Sequence, residues 1–235
     1  MGENITINIY GDSVMKATVP DGELHYHFRF EEYAKRFETL PVTLVSRAKF
    51  GATVEKGASM LEHDLQKGLN CRYALLEYGG NDCNFNWAEV AETPEEEHLP
   101  QTELGVFTET LSSMADALMA KGVQPVLMTL PPIDAEKYFR FITRGGLNGE
   151  KILKWLGDVQ VIYRFQELYS DAVSLLAAKK GLPCVDVRSC LLPDHRFDTL
   201  VSEDGIHPTE RAYEKIANIL YSWLKAALSA SPVLA

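Results

Sequence analysis

The stretch ITINIYGDS, Ile5 to Ser13, decides how the rest of the chain is read. Ile5–Tyr10 is rich in β-branched side chains and reads as a strand; Gly11-Asp12-Ser13 reads as a tight turn at which a helix should begin. Four more strand candidates follow: Val42–Ser46, Tyr73–Glu77, Val123–Thr129 and Leu182–Val187. Helical periodicity separates or follows the later ones. Thr102–Lys121 sets Leu104, Phe107, Leu111, Met114, Leu118 and Met119 on one face and stops at Gly122. Gln160–Lys180 stops at Gly181, and Thr209–Leu228 carries Tyr213, Ile216, Leu220 and Trp223 behind Pro208. Strands alternating with helices predict parallel pairing and right-handed crossovers. The expected fold is a three-layer α/β/α sandwich with a five-stranded parallel sheet, one domain over residues 1–235.

Composition excludes several classes. With 46% hydrophobic and 24% charged residues in a chain of 235, there is ample apolar material for a core, so intrinsic disorder is not the description. No apolar run is long enough to span a bilayer, and the start MGENITINIYGDS lacks the basic and apolar regions of a signal peptide. A net charge of −10 repels phosphate backbones, so no nucleic-acid partner is expected. Cys71, Cys83, Cys184 and Cys190 are too dispersed for metal or redox motifs and too few for a disulfide scaffold, which fits a cytoplasmic location.

The polar residues after the strands carry the chemistry. In a parallel sheet, ligands gather at the carboxyl ends of strands. Ser13 follows the first strand, Phe50-Gly51-Ala52-Thr53 the second and Gly79-Gly80-Asn81-Asp82 the third; Asp204-Gly205-Ile206-His207 precedes the last helix. Together they supply a hydroxyl, amide donors, an imidazole and a carboxylate, the parts of a serine hydrolase. Ser13 is the candidate nucleophile and His207 the base that accepts its proton. Asp204, three residues earlier, holds the other ring nitrogen. The N–H groups of Ser13 and Gly51 and the side-chain amide of Asn81 are candidate oxyanion donors. Taken alone, Ser13 reads equally well as a helix cap, and Asn81 as a turn residue.

These blocks resemble the SGNH hydrolases, also called GDSL-type esterases and lipases. IYGDSVM is similar to the first block, with Ser13 as nucleophile; KFGATVEKG to the second, with Gly51; EYGGNDCN to the third, with Asn81; and DGIHPTERAY to the last, with Asp204 and His207. The resemblance implies a flavodoxin-like fold, ester hydrolysis through an acyl-enzyme, a small-molecule ester substrate, and no metal or organic cofactor. Val14 stands where the family name has leucine. The second block lacks the asparagine that often precedes its glycine, so Gly57 competes with Gly51.

Other constellations fail. G-x-S-x-G, the P-loop, G-x-G-x-x-G and H-E-x-x-H are absent. Asp82-Cys83-Asn84-Phe85-Asn86 imitates a calcium loop, but puts Trp87 where glycine belongs and Thr93 where glutamate does. His25 and His27 would share a strand face and read as surface or packing residues. The acidic run Trp87–Gln101 reads as a solvated loop. Pro131–Asp158, with Tyr138, Phe139, Phe141 and Trp155, reads as a long loop, a lid or substrate-shaping insertion. The expected substrate is a short acyl ester, such as an acetyl group on a carbohydrate or other small alcohol. The alternatives are a longer-chain lipase, lysophospholipase or thioesterase using Tyr138, Phe139 and Phe141 as a channel, and a non-catalytic carbohydrate-binding module using Trp87 or Trp155.

Overall fold

The computed structural model describes residues 4–23 and 25–230; residues 1–3, part of the segment read as lacking a leader, lie outside them. The chain forms strands β1 (Ile5–Gly11), β2 (Thr18–Pro20), β3 (Tyr26–Phe28), β4 (Val42–Ser46), β5 (Tyr73–Glu77), β6 (Gln124–Met128) and β7 (Cys184–Val185). Its helices are α1 (Phe30–Ala34), α2 (Val54–Gln66), α3 (Trp87–Glu92), α4 (Leu104–Met119), α5 (Ala135–Thr143), α6 (Gly149–Leu156), α7 (Val161–Lys180) and α8 (Glu210–Ala230).

The main sheet has five strands in the order β4-β1-β5-β6-β7, and each neighbouring pair is parallel. Both faces are covered, so strand residues alternate between two apolar layers rather than between core and water. Tyr10, Ala74, Leu76 and Leu127 face α2, α4 and α7. Ile7, Ile9, Leu75 and Val126 face α8. The order reverses at β1, which is flanked by β4 and β5, and in such folds the ligand crevice opens at that switch point. The turns after β1 and β5 carry Ser13 and Asn81 there.

Four expectations need correction. No helix starts at Ser13: the chain makes a turn, passes through Ala17 at φ 51°, and enters the antiparallel hairpin β2–β3. The last strand is only two residues long, because the backbone after Val185 leaves the sheet to bond elsewhere: the Val187 and Arg188 amides donate to Thr129 Oγ1. The Pro131–Asp158 insertion is not a loop. Asp134 and Asn148 cap α5 and α6 by accepting the Lys137 and Lys151 amides, and both helices pack with α3 into a third apolar cluster around Phe85, Trp87, Ile133, Tyr138 and Ile152. Within the stretch read as an acidic loop, Trp87–Glu92 is helical and its apolar face is buried.

Candidate active site

Ser13 sits in the turn that ends β1. Asp12 shapes that turn by accepting the Val14 amide at 2.8 Å on Oδ1. The Ser13 hydroxyl lies 2.8 Å from His207 Nε2, and His207 Nδ1 lies 2.6 Å from Asp204 Oδ2. Asp204 Oδ1 accepts the amides of Ile206 (3.1 Å) and His207 (3.0 Å), which curls the loop so that carboxylate and imidazole meet. Gly205, at φ +79°, allows that curl. Asp204 and His207 are buried. Burial by itself would push the Asp204 carboxyl up, but the His207 ring and the two amides outweigh it and hold the carboxyl below its usual range. Asp204 is therefore an anion fixed against one side of the ring, which leaves Nε2 as the nitrogen that exchanges a proton with Ser13.

The expected oxyanion donors are placed unequally. The N–H groups of Ser13 and Gly51 donate to no protein acceptor among the described residues. Gly51 takes φ +71°, where a side chain would be strained, and its neighbour Phe50 stacks over His207 with centroids 6.0 Å apart. Gly57 does not serve: it lies within α2, its amide already donates to Thr53 O at 3.0 Å, and its missing Cβ makes room for the Tyr78 ring. Asn81 lines the site, but both hydrogens of its amide are engaged, with Asp12 Oδ2 at 2.9 Å and Ala52 O at 3.1 Å. A developing oxyanion would be a stronger acceptor than a neutral carbonyl, so the Ala52 bond is the one it would displace.

Beneath Ser13 lies a buried carboxyl pair that the sequence reading passed over. Asp12 is 2% exposed and Glu77, at the end of β5, is 1% exposed; both line the active-site cavity. Burial, the larger cause, raises both carboxyls, and the Asp12 charge raises Glu77 further, so Glu77 is the member of the pair that holds a proton, facing the Asp12 carboxylate. The pair braces the two groups that Asp12 holds, the Ser13 turn and the Asn81 amide. The signal for it was a single carboxylate closing an otherwise apolar strand, YALLE.

A cavity of about 80 Å³ opens beside Ser13 and His207. Its apolar walls include Phe85, Trp87, Leu130, Ile133, Tyr138 and Phe165. Trp87 is buried, and its indole N–H donates to Asn84 Oδ1 at 2.9 Å, an oxygen that Tyr138 also reaches at 2.9 Å. At the rear, Gln166 donates to Pro131 O at 2.7 Å and accepts from Arg188, itself buried, at 2.8 Å. Of the three aromatics expected to form a channel, only Tyr138 lines this cavity; Phe139 and Phe141 pack into the third cluster. Trp155, half-buried, packs edge-on to Phe85 at 4.9 Å. His25 and His27 face Asp21 on the surface. Asp82 turns inward to accept the Val54 amide, unlike a calcium ligand. Among the described residues, no group of three or more His, Cys, Asp or Glu is disposed to hold a metal ion.

The match to known proteins agrees with this geometry. The model of the GDSL-like lipase/acylhydrolase family covers residues 9–215, and the chain belongs to that family of hydrolases. Among solved structures, it superposes on a lipase/acylhydrolase from Enterococcus faecalis with a TM-score of 0.64 at 16% identity, covering 95% of this chain and 96% of that one. An acetylxylan esterase from Geobacillus stearothermophilus, solved as a catalytic mutant, gives 0.63 at 16% identity, with 94% of each chain covered. A member of the lipolytic G-D-S-L family from Veillonella parvula gives 0.64 at 15%, covering 94% and 98%. At these identities the likeness is one of fold. No curated protein matches the sequence.

Proposed function

We propose that the protein hydrolyses carboxylic esters of short acyl groups through an acyl-enzyme on Ser13. The observation that carries this reading is the unbroken chain Ser13 Oγ, His207, Asp204 beside a small apolar cavity. Ser13 Oγ attacks the ester carbonyl as His207 Nε2 takes its proton, and Asp204 stabilises the resulting imidazolium. The oxyanion meets the N–H groups of Ser13 and Gly51 and the Asn81 amide, each worth about 3 kcal/mol of barrier. Collapse expels the alcohol, which receives the proton from His207. Water then gives a proton to the same nitrogen as its oxygen attacks the acyl carbon; the bond from that carbon to Ser13 Oγ breaks, His207 returns the proton to Oγ, and the acid leaves.

Size favours a short acyl group. An apolar cavity of about 150 Å³ holds benzene, six carbon atoms. One of about 80 Å³ has room for an acyl group of two to four carbons. The test is a fluorophosphonate probe together with a series of esters of one alcohol. Wild-type protein should be labelled and should turn over acetyl to butyryl esters fastest, and Ser13→Ala should do neither. Labelling and turnover that survive in Ser13→Ala would sink the nucleophile; a maximum at eight carbons or more would sink the short acyl group.

A further inference from the structure

Two rings exposed to solvent stand at the lip of this site, and the cavity does not include them. Phe28, in the hairpin β2–β3, is 53% exposed, and Phe50, next to Gly51, is 46% exposed. Exposed apolar side chains met singly need no explanation. These two touch each other, with centroids 5.9 Å apart, and they continue inward as one aromatic surface. Phe50 meets Tyr26 at 5.0 Å, and Tyr26 meets the His207 ring at 5.2 Å.

Resting on the esterase reading, we infer that this surface is the subsite for the leaving alcohol, and that the preferred alcohol carries a ring with a flat C–H or π face. The argument is directional. The nitrogen that takes the Ser13 proton must also deliver it to the departing oxygen, so the alcohol lies on the imidazole side of the reacting carbon. On that side the imidazole is flanked by Tyr26 and Phe50. The acyl group takes the other direction, into the cavity walled by Leu130, Ile133 and Phe165. An alcohol leaving over Phe50 passes onto Phe28. The Lys16 ammonium lies over one face of the Phe28 ring, 4.4 Å from its centre, and leaves the other face for the alcohol. A ring bearing hydroxyl groups and an aromatic ring share the flat face that such a platform recognises.

The test compares acetates that share an acyl group and differ in their alcohol: isobutyl acetate, benzyl acetate and a monoacetylated methyl pentopyranoside. The readout is the ratio of kcat/KM for each ring ester to that for isobutyl acetate. Phe28 is one ring removed from His207, so Phe28→Ala probes the platform without removing the ring stacked on the base. In wild type the ratio should favour at least one ring ester; in Phe28→Ala that preference should fall about tenfold, mainly through KM, and Phe28→Tyr should retain it. The ring ester that loses most identifies the source of the flat face. A wild-type preference for isobutyl acetate, or a ratio unchanged by Phe28→Ala in a protein that still reacts with a fluorophosphonate, overturns the subsite. Failure of wild type to hydrolyse any of the three overturns instead the esterase reading on which it rests.

Discussion

Gly205 is pressed against the backbone of Tyr138: a Cβ at position 205 would lie 2.1 Å from the Tyr138 amide nitrogen. The Gly205 carbonyl also accepts the Asp134 amide at 2.9 Å. The loop bearing Asp204 and His207 is thus fastened to the start of α5, one of the helices that wall the cavity. Gly205→Ala combines a backbone clash with a strained φ of +79° and should lose about 3 kcal/mol of stability or more. Denaturant unfolding measures the loss. Turnover should fall further than stability explains, because the loop cannot shift without moving His207.

Asp204→Asn keeps the size of the side chain but not its charge. The amide cannot hold the His207 ring in the tautomer that leaves Nε2 free to accept a proton, so kcat should fall about 10⁴-fold with the fold intact. In wild type, Asp204 is held below the usual carboxylate range, so this carboxylate should not contribute the acid limb of a pH–rate profile measured above about pH 4. A thermal melt paired with single-turnover kinetics separates the two effects.

Between about pH 5 and 7 an unfolded chain has released the protons of Glu77 and Asp12. The folded chain retains at least one of them, since burial raises both groups and the Asp12 charge raises Glu77 further. The folded state then binds more protons than the unfolded state, so stability should rise as pH falls through this window, by about 1.4 kcal/mol per unit for each retained proton. Glu77→Gln keeps a donor toward Asp12 and removes the Glu77 titration. Its stability gain from pH 7 to 5 should be smaller than that of wild type. Equal slopes for the two proteins would refute the shared proton.

Gly57 tests packing against helix propensity. Alanine in a helix interior is favoured over glycine by about 1 kcal/mol, but a Cβ here would meet the Tyr78 ring at 2.3 Å. The clash should win, with Gly57→Ala less stable than wild type by about 1–3 kcal/mol. Tyr78→Phe should behave oppositely. The Tyr78 hydroxyl is buried with no partner, so removing it should be neutral or add up to about 1 kcal/mol.

The sheet and the Ser13, Asp204 and His207 cluster were legible because each rests on a short, strong local signal: a β-branched run, then a polar turn. The hairpin β2–β3 was not. Its strands are three residues each, too short for a period of two to show, and they include Pro20. The tertiary fact that gives it meaning, Tyr26 against the His207 ring, lies 181 positions away in the chain. Helix α2 had readable spacing in Val54, Ala58, Leu61 and Leu65, interrupted by Gly57, whose reason is the distant Tyr78 ring. The caps Asp134 and Asn148 are readable as helix starts, but the helices they open are only nine and eight residues long and are separated by Gly145 and Gly146, so the insertion's local signal is that of a loop. The engagement of Asn81 by Asp12 and Ala52 depends on three separate turns meeting, which no local pattern encodes.

Ser13 and His207 are separated by 194 positions. A chain still emerging from the ribosome, or one whose C-terminal helix has come loose, therefore carries an ordinary alcohol at position 13 and no acyl-transfer reactivity. Covalent labelling of this serine would report completed folding, molecule by molecule.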